Sequence, residues 1–179
     1  YWLRHYPACR LFRLGRFEFM LRPFGGPLEA YRNRNTGQVL ALSEDGIRYA
    51  ASGYRPIGDV EAPGDFTARL ERGDGYVEGT PISPRGMALS KTVRLDLADW
   101  ERVLGRDDTV LDMHIPSGGN MTPERAEDSF ERAVRFFAEQ FPDRPARAIA
   151  CGSWIYNTQF EELLGPEANL VKHMRELYL

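Results

Sequence analysis

Two hydrophobic rhythms divide the chain. Over 11–21, reading L-F-R-L-G-R-F-E-F-M-L, apolar and polar residues alternate with period two. That spacing predicts an extended strand with Phe17, Phe19 and Leu21 on one face and Arg16, Glu18 and Met20 on the other, interrupted by a bulge at Gly15. Runs over 29–34 and 38–43 flank Asn35, Thr36 and Gly37, a short hairpin connection. Further strands are predicted over 47–49, 66–71, 75–82 and 92–95, with Pro- and Gly-rich loops over 53–65 and 81–87. The front half therefore reads as a meandering antiparallel sheet.

After a short helix predicted over 97–104 and closed by Gly105, strand and helix alternate: strand 109–115, helix 122–140, strand 146–151, helices 157–164 and 169–178. Such alternation implies parallel strands joined by a right-handed crossover. In the long helix Ala126, Phe130, Ala133, Val134, Phe137 and Phe141 share one face, Thr122 and Pro123 form a cap and first turn, and Pro142 with Asp143 ends it. The last helix carries an apolar stripe of Leu170, Val171, Met174, Leu177 and Tyr178, which needs cover from the sheet, from a preceding region or from a second subunit in a homodimer.

The chemistry concentrates where the 109–115 strand meets the long helix. V-L-D-M-H-I-P-S-G-G-N (Val110–Asn120) is an apolar strand ending in a histidine, a proline and two glycines, and it opens onto a helix N-terminus. Unpaired backbone N–H groups and the positive end of the helix dipole converge there, which suits phosphate or another anion. A second short strand, A-R-A-I-A-C-G-S-W (Ala146–Trp154), ends in Gly152 with small polar and aromatic residues beyond it.

Composition narrows the classes. The 179 residues are 42% hydrophobic and 27% charged, enough for one globular domain with a sizeable core. A formal charge of −3 and a pI near 5.7 give no electrostatic footprint for nucleic acid. Arg4, Arg10, Arg13, Arg16, Arg22, Arg32 and Arg34 do outnumber Glu18 and Glu29 near the front, as solvated strand faces or as a patch for an acidic ligand. Cys9 and Cys151 have no metal or redox spacing and read as reduced thiols of a cytoplasmic protein. No run is long enough to span a membrane and no signal peptide is visible. The opening on Tyr1 leads us to expect a missing targeting segment or preceding domain.

Other chemistries find little support. Ser153 lies in C-G-S-W and not in G-x-S-x-G, and His114 precedes it, opposite to the order of α/β-hydrolases. A Cys151 nucleophile would need His114 to approach from the neighbouring strand. His5, His114 and His173 are the only histidines and make no metal-binding motif. G-D-G at Gly73–Gly75 is a turn.

The segments H-I-P-S-G-G (114–119), E-D-S-F-E-R-A (127–133), F-F-A-E-Q-F-P (136–142) and C-G-S-W-I (151–155), with L-F-R-L-G-R-F-E-F (11–19) in front, are similar to the GNAT-like C-terminal domain of bacterial acyltransferase-domain proteins. The resemblance runs from about residue 11 to the end. It implies a single α+β domain of the GNAT acyl-CoA N-acyltransferase fold over 1–179, an antiparallel meander followed by a β-α-β unit whose parallel strands splay, preceded in the family by a mostly helical N-terminal region.

The resemblance further implies acetyl-CoA or another acyl-CoA as co-substrate, no metal, and a small-molecule or peptide amine as acceptor. The backbone from Ile115 through Pro116, Ser117, Gly118, Gly119 and Asn120, with Thr122, would hold the coenzyme. Pro116, having no N–H, would break pairing where the pantetheine enters, or else simply end an edge strand. His114 would take a proton from the attacking ammonium, or serve as a hydrogen-bonded structural residue. Ser153 or Tyr156 would protonate the departing thiolate, while Trp154 packs against the splayed strands or walls the substrate pocket. One departure stands out: the family of enzymes carries Q/R-x-x-G-x-G/A at this turn, and here S-G-G-N follows no arginine or glutamine, with Glu124, Glu127 and Asp128 in the first helical turns. A non-catalytic acyl-CoA-binding or protein-interaction domain on the same fold is the alternative.

Overall fold

The computed structural model describes residues 5–8, 10–56, 58 and 60–179; Arg4 and Cys9 lie outside the described residues. The front strands are β1 (Phe12–Leu14), β2 (Phe17–Pro23), β3 (Leu28–Asn33), β4 (Val39–Ser43), β5 (Arg48–Tyr49), β6 (Phe66–Thr67), β7 (Leu70–Gly73), β8 (Tyr76–Gly79) and β9 (Pro81–Ile82). Then come β10 (Val93–Asp96), β11 (Trp100–Leu104), β12 (Thr109–His114), α1 (Pro123–Gln140), β13 (Ile149–Ala150), a 3-10 turn over Trp154–Tyr156, α2 (Phe160–Leu164) and α3 (Asn169–Met174). Two compact units result. The first holds the described residues up to Phe24 with Asp107–Leu177, and the second Gly25–Arg106 with Tyr178–Leu179.

The first unit is a four-stranded sheet in the order β1-β2-β12-β13. β2 is antiparallel to β1 and to β12, whereas β12 and β13 are parallel. Leu14 pairs with Phe17, so Gly15 and Arg16 form a tight two-residue turn instead of the expected bulge. Gly15 has φ +70° while Arg16 does not enter positive φ, the pattern of a hairpin whose first central residue must be glycine. Ser129 of α1 closes this turn. Its hydroxyl accepts from the Phe17 N–H at 3.1 Å and donates to the Leu14 carbonyl.

α1 begins at the expected cap, with Thr122 Oγ1 accepting from the Arg125 N–H at 3.4 Å and Pro123 in the first turn. Its buried face is Ala126, Ser129, Ala133 and Phe137, packed on Phe17, Phe19, Leu111 and Met113. Val134 was expected on that face but stands 58% exposed, because Ser129 and Ala133 carry the stripe one position to its side. At the C-terminal end of α1, Phe137 stacks on Phe141 (5.4 Å) and Phe12 meets Phe136 at 4.8 Å. An apolar cleft of about 450 Å³ opens beside this end, lined by residues such as Val134, Phe141, Ala146 and Ile149.

In the second unit all pairings are antiparallel: sheets ordered β11-β3-β4-β9 and β10-β8-β7, with the small pair β5-β6. Its core is Tyr31, Leu42, Val77 and Leu95. The helix expected over 97–104 is instead strand β11, paired from Trp100↔Asn33 through Arg102↔Tyr31 with an irregularity before Leu104. Eight residues are too few to sustain a helix alone, and the free edge of β3 supplies a ladder that decides the conformation. Of the last apolar stripe, Val171 and Met174 are fully buried, Leu170 and Leu177 are half-buried and Tyr178 is 37% exposed. The Tyr178 hydroxyl accepts from the Ala41 N–H at 3.0 Å and donates to the Ile82 carbonyl.

Candidate functional site

The parallel ladder between β12 and β13 is two rows long, Leu111↔Ile149 and Asp112↔Ala150. On its other edge β12 stays paired to β2 as far as His114↔Glu18. Beyond Asp112, then, Met113, His114 and Ile115 face no partner row from Cys151 and Gly152, and the ladder ends there. The chain leaving β12 turns through Gly118 (φ +82°) and Gly119 (φ +79°) into α1. Successive left-handed residues of this kind are open to glycine and leave the backbone bare for a ligand.

Arg16 lies beneath that turn. Its Nη1 donates to the Pro116 carbonyl at 3.0 Å, across a sequence separation of 100. Its Nε is buried without a hydrogen-bond partner, and a Cβ built on Gly119 would sit 3.8 Å from it. Burial first, and then the charges of Arg13 and Arg125, hold the guanidinium below its ordinary pKa. The cation missing from the turn's own sequence is thus delivered by the β1–β2 hairpin. No spacing rule in the sequence points to it; the signal was a lone arginine beside a turn glycine.

Tyr156 ends the 3-10 turn that follows β13, and its hydroxyl is 3.0 Å from Nε2 of His173 on α3. The imidazole is fully buried, tilted against the rings of Phe17 (6.0 Å) and Phe130 (5.9 Å), and its Nδ1 has no hydrogen-bond partner. Burial lowers the pKa of His173 and so keeps the ring neutral. Burial, and then the neighbouring Cys151, raise that of Tyr156, while Arg16 opposes the shift. The Cys151 thiol is pushed up to about 12 by burial and by Asp112, so it stays protonated and is a poor nucleophile at neutral pH.

His114 occupies the other face. Leu111 and Met113 point into the core under α1, so alternation turns Asp112 and His114 the opposite way. Directly across from His114 is Glu18, 6% exposed, at the roughly 5 Å Cβ separation of cross-strand pairs. The Tyr6 hydroxyl donates to the Glu18 carboxylate. Asp112 pairs with Arg22 at 3.1 Å, and burial holds its carboxyl above the usual range against that pairing.

Ser153 and Trp154 both lie at the 3-10 turn. Ser153 caps the 3-10 turn, its hydroxyl accepting from the Ile155 N–H at 3.4 Å. Trp154 does not pack between the parting strands: it is 76% exposed, its ring edge-on to Phe160 at 6.0 Å, because the tight turn after Ser153 swings it outward. Thr122 spends its side chain on the helix cap, and Pro116 offers a carbonyl and no N–H. Ile115, Ser117, Gly118, Gly119 and Asn120 form the turn itself.

Among the described residues no group of three His, Cys, Asp or Glu side chains is disposed to hold a metal ion, and no helix is long and apolar enough to cross a membrane. A family model for the GNAT-like C-terminal domain matches residues 11–179. The chain belongs to that family, and its α+β architecture is of the GNAT acyltransferase type. Searches of curated proteins and of solved structures give no match.

Proposed function

We propose that this domain transfers an acyl group from a coenzyme A thioester to an amine, by direct attack within a ternary complex. The observation that carries this reading is the early end of the β12–β13 ladder beside a bare glycine turn at a helix N-terminus. A pantetheine arm is a strip of amides that can take the place of the missing strand rows. The N–H groups of Ile115, Ser117, Gly118, Gly119 and Asn120 and the half-buried Arg16 would receive the diphosphate, with Thr122 holding the helix start and Pro116 anchoring Arg16.

The thioester would supply the activated acyl carbon. From one face of the gap His114, opposite Glu18, takes the proton of the incoming ammonium. From the other face Tyr156 returns a proton to sulfur, with Ser153 as the nearby alternative. The exposed indole of Trp154 offers a wall for a small-molecule or peptide acceptor.

A binding domain without catalysis is the second reading. It is favoured by Glu124, whose carboxyl a Thr122 hydrogen bond holds below the usual range at the mouth of the proposed anion site. Thermal denaturation with acyl-CoA tests both. At a Kd of about 10 μM, about 1 mM ligand stabilises by roughly 2.7 kcal/mol, a rise of about 5 to 10 °C at this size. Thiol release with an amine panel, abolished in His114→Ala, supports the enzyme; binding without release supports the sensor. No shift with any acyl length removes both.

A further inference from the structure

The Tyr156–His173 pair can be arranged in two ways. If Nδ1 carries the hydrogen, Nε2 accepts from the tyrosine and an N–H is left stranded among Phe17, Phe130 and the fully buried Val171 and Met174. If Nε2 carries it, the stranded atom is a lone pair. A buried N–H without an acceptor is the rarer and costlier defect. With Nε2–H engaged on one lone pair of the phenolic oxygen, the tyrosine's own hydrogen is left for another acceptor. The other polar groups acting on that hydroxyl are Cys151, which follows the last paired row of β13, and Arg16, which bonds the Pro116 carbonyl of the glycine turn.

We infer that His173 donates its Nε2–H to Tyr156 and thereby holds the tyrosine's hydroxyl proton toward the gap, making His173 a positioning residue for proton return to sulfur. This deepens, and rests on, the acyl-transfer reading. In the step, the amine nitrogen bonds to the carbonyl carbon and the C–S bond breaks with its electron pair going to sulfur. His114 first passes the ammonium's proton to water; nitrogen gives its second proton to His114 as the bond to carbon forms, sulfur takes the Tyr156 proton, and water reprotonates the tyrosinate once the thiol leaves. Burial raises the Tyr156 phenol as it raises the Cys151 thiol, so the aim of the hydroxyl, and not a difference in acidity, carries the step. His173 itself never changes charge.

The test has two independent arms. Long-range ¹H–¹⁵N NMR of the intact, ligand-free chain reads the tautomer directly: a protonated Nε2 and a bare Nδ1 are expected, and a protonated Nδ1 overturns the proposal whether or not the domain is an enzyme. Kinetics read the consequence. His173→Leu should lower kcat for thioester aminolysis by about tenfold or more while leaving the KM for acyl-CoA within about twofold. His173→Gln, which keeps a donor but cannot titrate, should recover kcat to within about threefold. The His173→Leu/Tyr156→Phe double variant should be no slower than Tyr156→Phe alone.

Full kcat in His173→Leu overturns the positioning role, as does a folded His173→Gln that is as slow as Tyr156→Phe. Should the leucine variant fail to fold, the glutamine variant and the wild-type tautomer decide. A wild-type chain that binds acyl-CoA without turnover refutes the transfer reading, leaving the tautomer to settle the His173–Tyr156 contact by itself.

Discussion

Ser129→Ala is the sharpest probe of how the site is held together. The hydroxyl is fully buried and serves two masters in the hairpin turn, the Phe17 N–H at 3.1 Å and the Leu14 carbonyl. Alanine removes both bonds and leaves the Phe17 N–H, on a fully buried residue, and the part-buried Leu14 carbonyl without the hydroxyl. Each such orphan costs about 1–3 kcal/mol, and alanine's better helix propensity returns roughly 0.5 kcal/mol. The net loss is therefore about 1.5–5.5 kcal/mol, which at this size lowers Tm by roughly 3 to 20 °C. Urea denaturation monitored by far-UV circular dichroism measures it. A loss under about 0.5 kcal/mol would refute the reasoning, because it would mean that Leu14 and Phe17 close the turn on each other without help from α1.

Three further outcomes are expected. Gly15→Ala should cost about 1–2 kcal/mol for the left-handed backbone alone, and more because its Cβ would come within 3.2 Å of Ser129 Cα; an unchanged urea midpoint would contradict the turn geometry. Arg16→Met should weaken acyl-CoA binding about tenfold or more by calorimetry, the worth of a charge-assisted contact, and equal affinity would remove Arg16 from the anion site. Stability should fall as pH drops below the ordinary histidine value of 6.5, because burial lowers the pKa of His173 in the folded state and the unfolded chain takes up the proton first. The slope is at most about 1.4 kcal/mol per pH unit. It should disappear in His173→Gln, and equal slopes in the two proteins from pH 7 to 5 would count against it.

The parts of the fold legible in the sequence were those whose signal is local. α1 announced itself through its period, the Thr122 cap and Pro123, and the glycine turn before it through Gly118 and Gly119. Where a partner far along the chain decides, local reading failed. W-E-R-V-L fits a helix turn or a strand equally, and β3 chose strand. Gly15 is a turn and not a bulge because β1 folds back on β2. The site shows the same division. A search for a cation leading the S-G-G-N turn could not find Arg16, which arrives from a hairpin near the other end of the chain. Nothing in the spacing of Tyr156 and His173 distinguishes a buried pair from two unrelated residues, since α2 and the bend after it set their approach.

The ends of β2 and β12 are held together where the Gly25–Arg106 segment begins and ends. Phe24 donates its N–H to the Asp108 carbonyl at 2.8 Å and its carbonyl accepts from Asp107 at 3.0 Å, so β2 and β12 are a hairpin whose connecting loop has acquired a core of its own. Lengthening such a loop is cheap, since the closure penalty grows only with the logarithm of its length. The β2–β12 clasp thus closes its sheet locally, so the Gly25–Arg106 connection can change length without opening it, provided the Tyr178 contacts to Ala41 and Ile82 are kept.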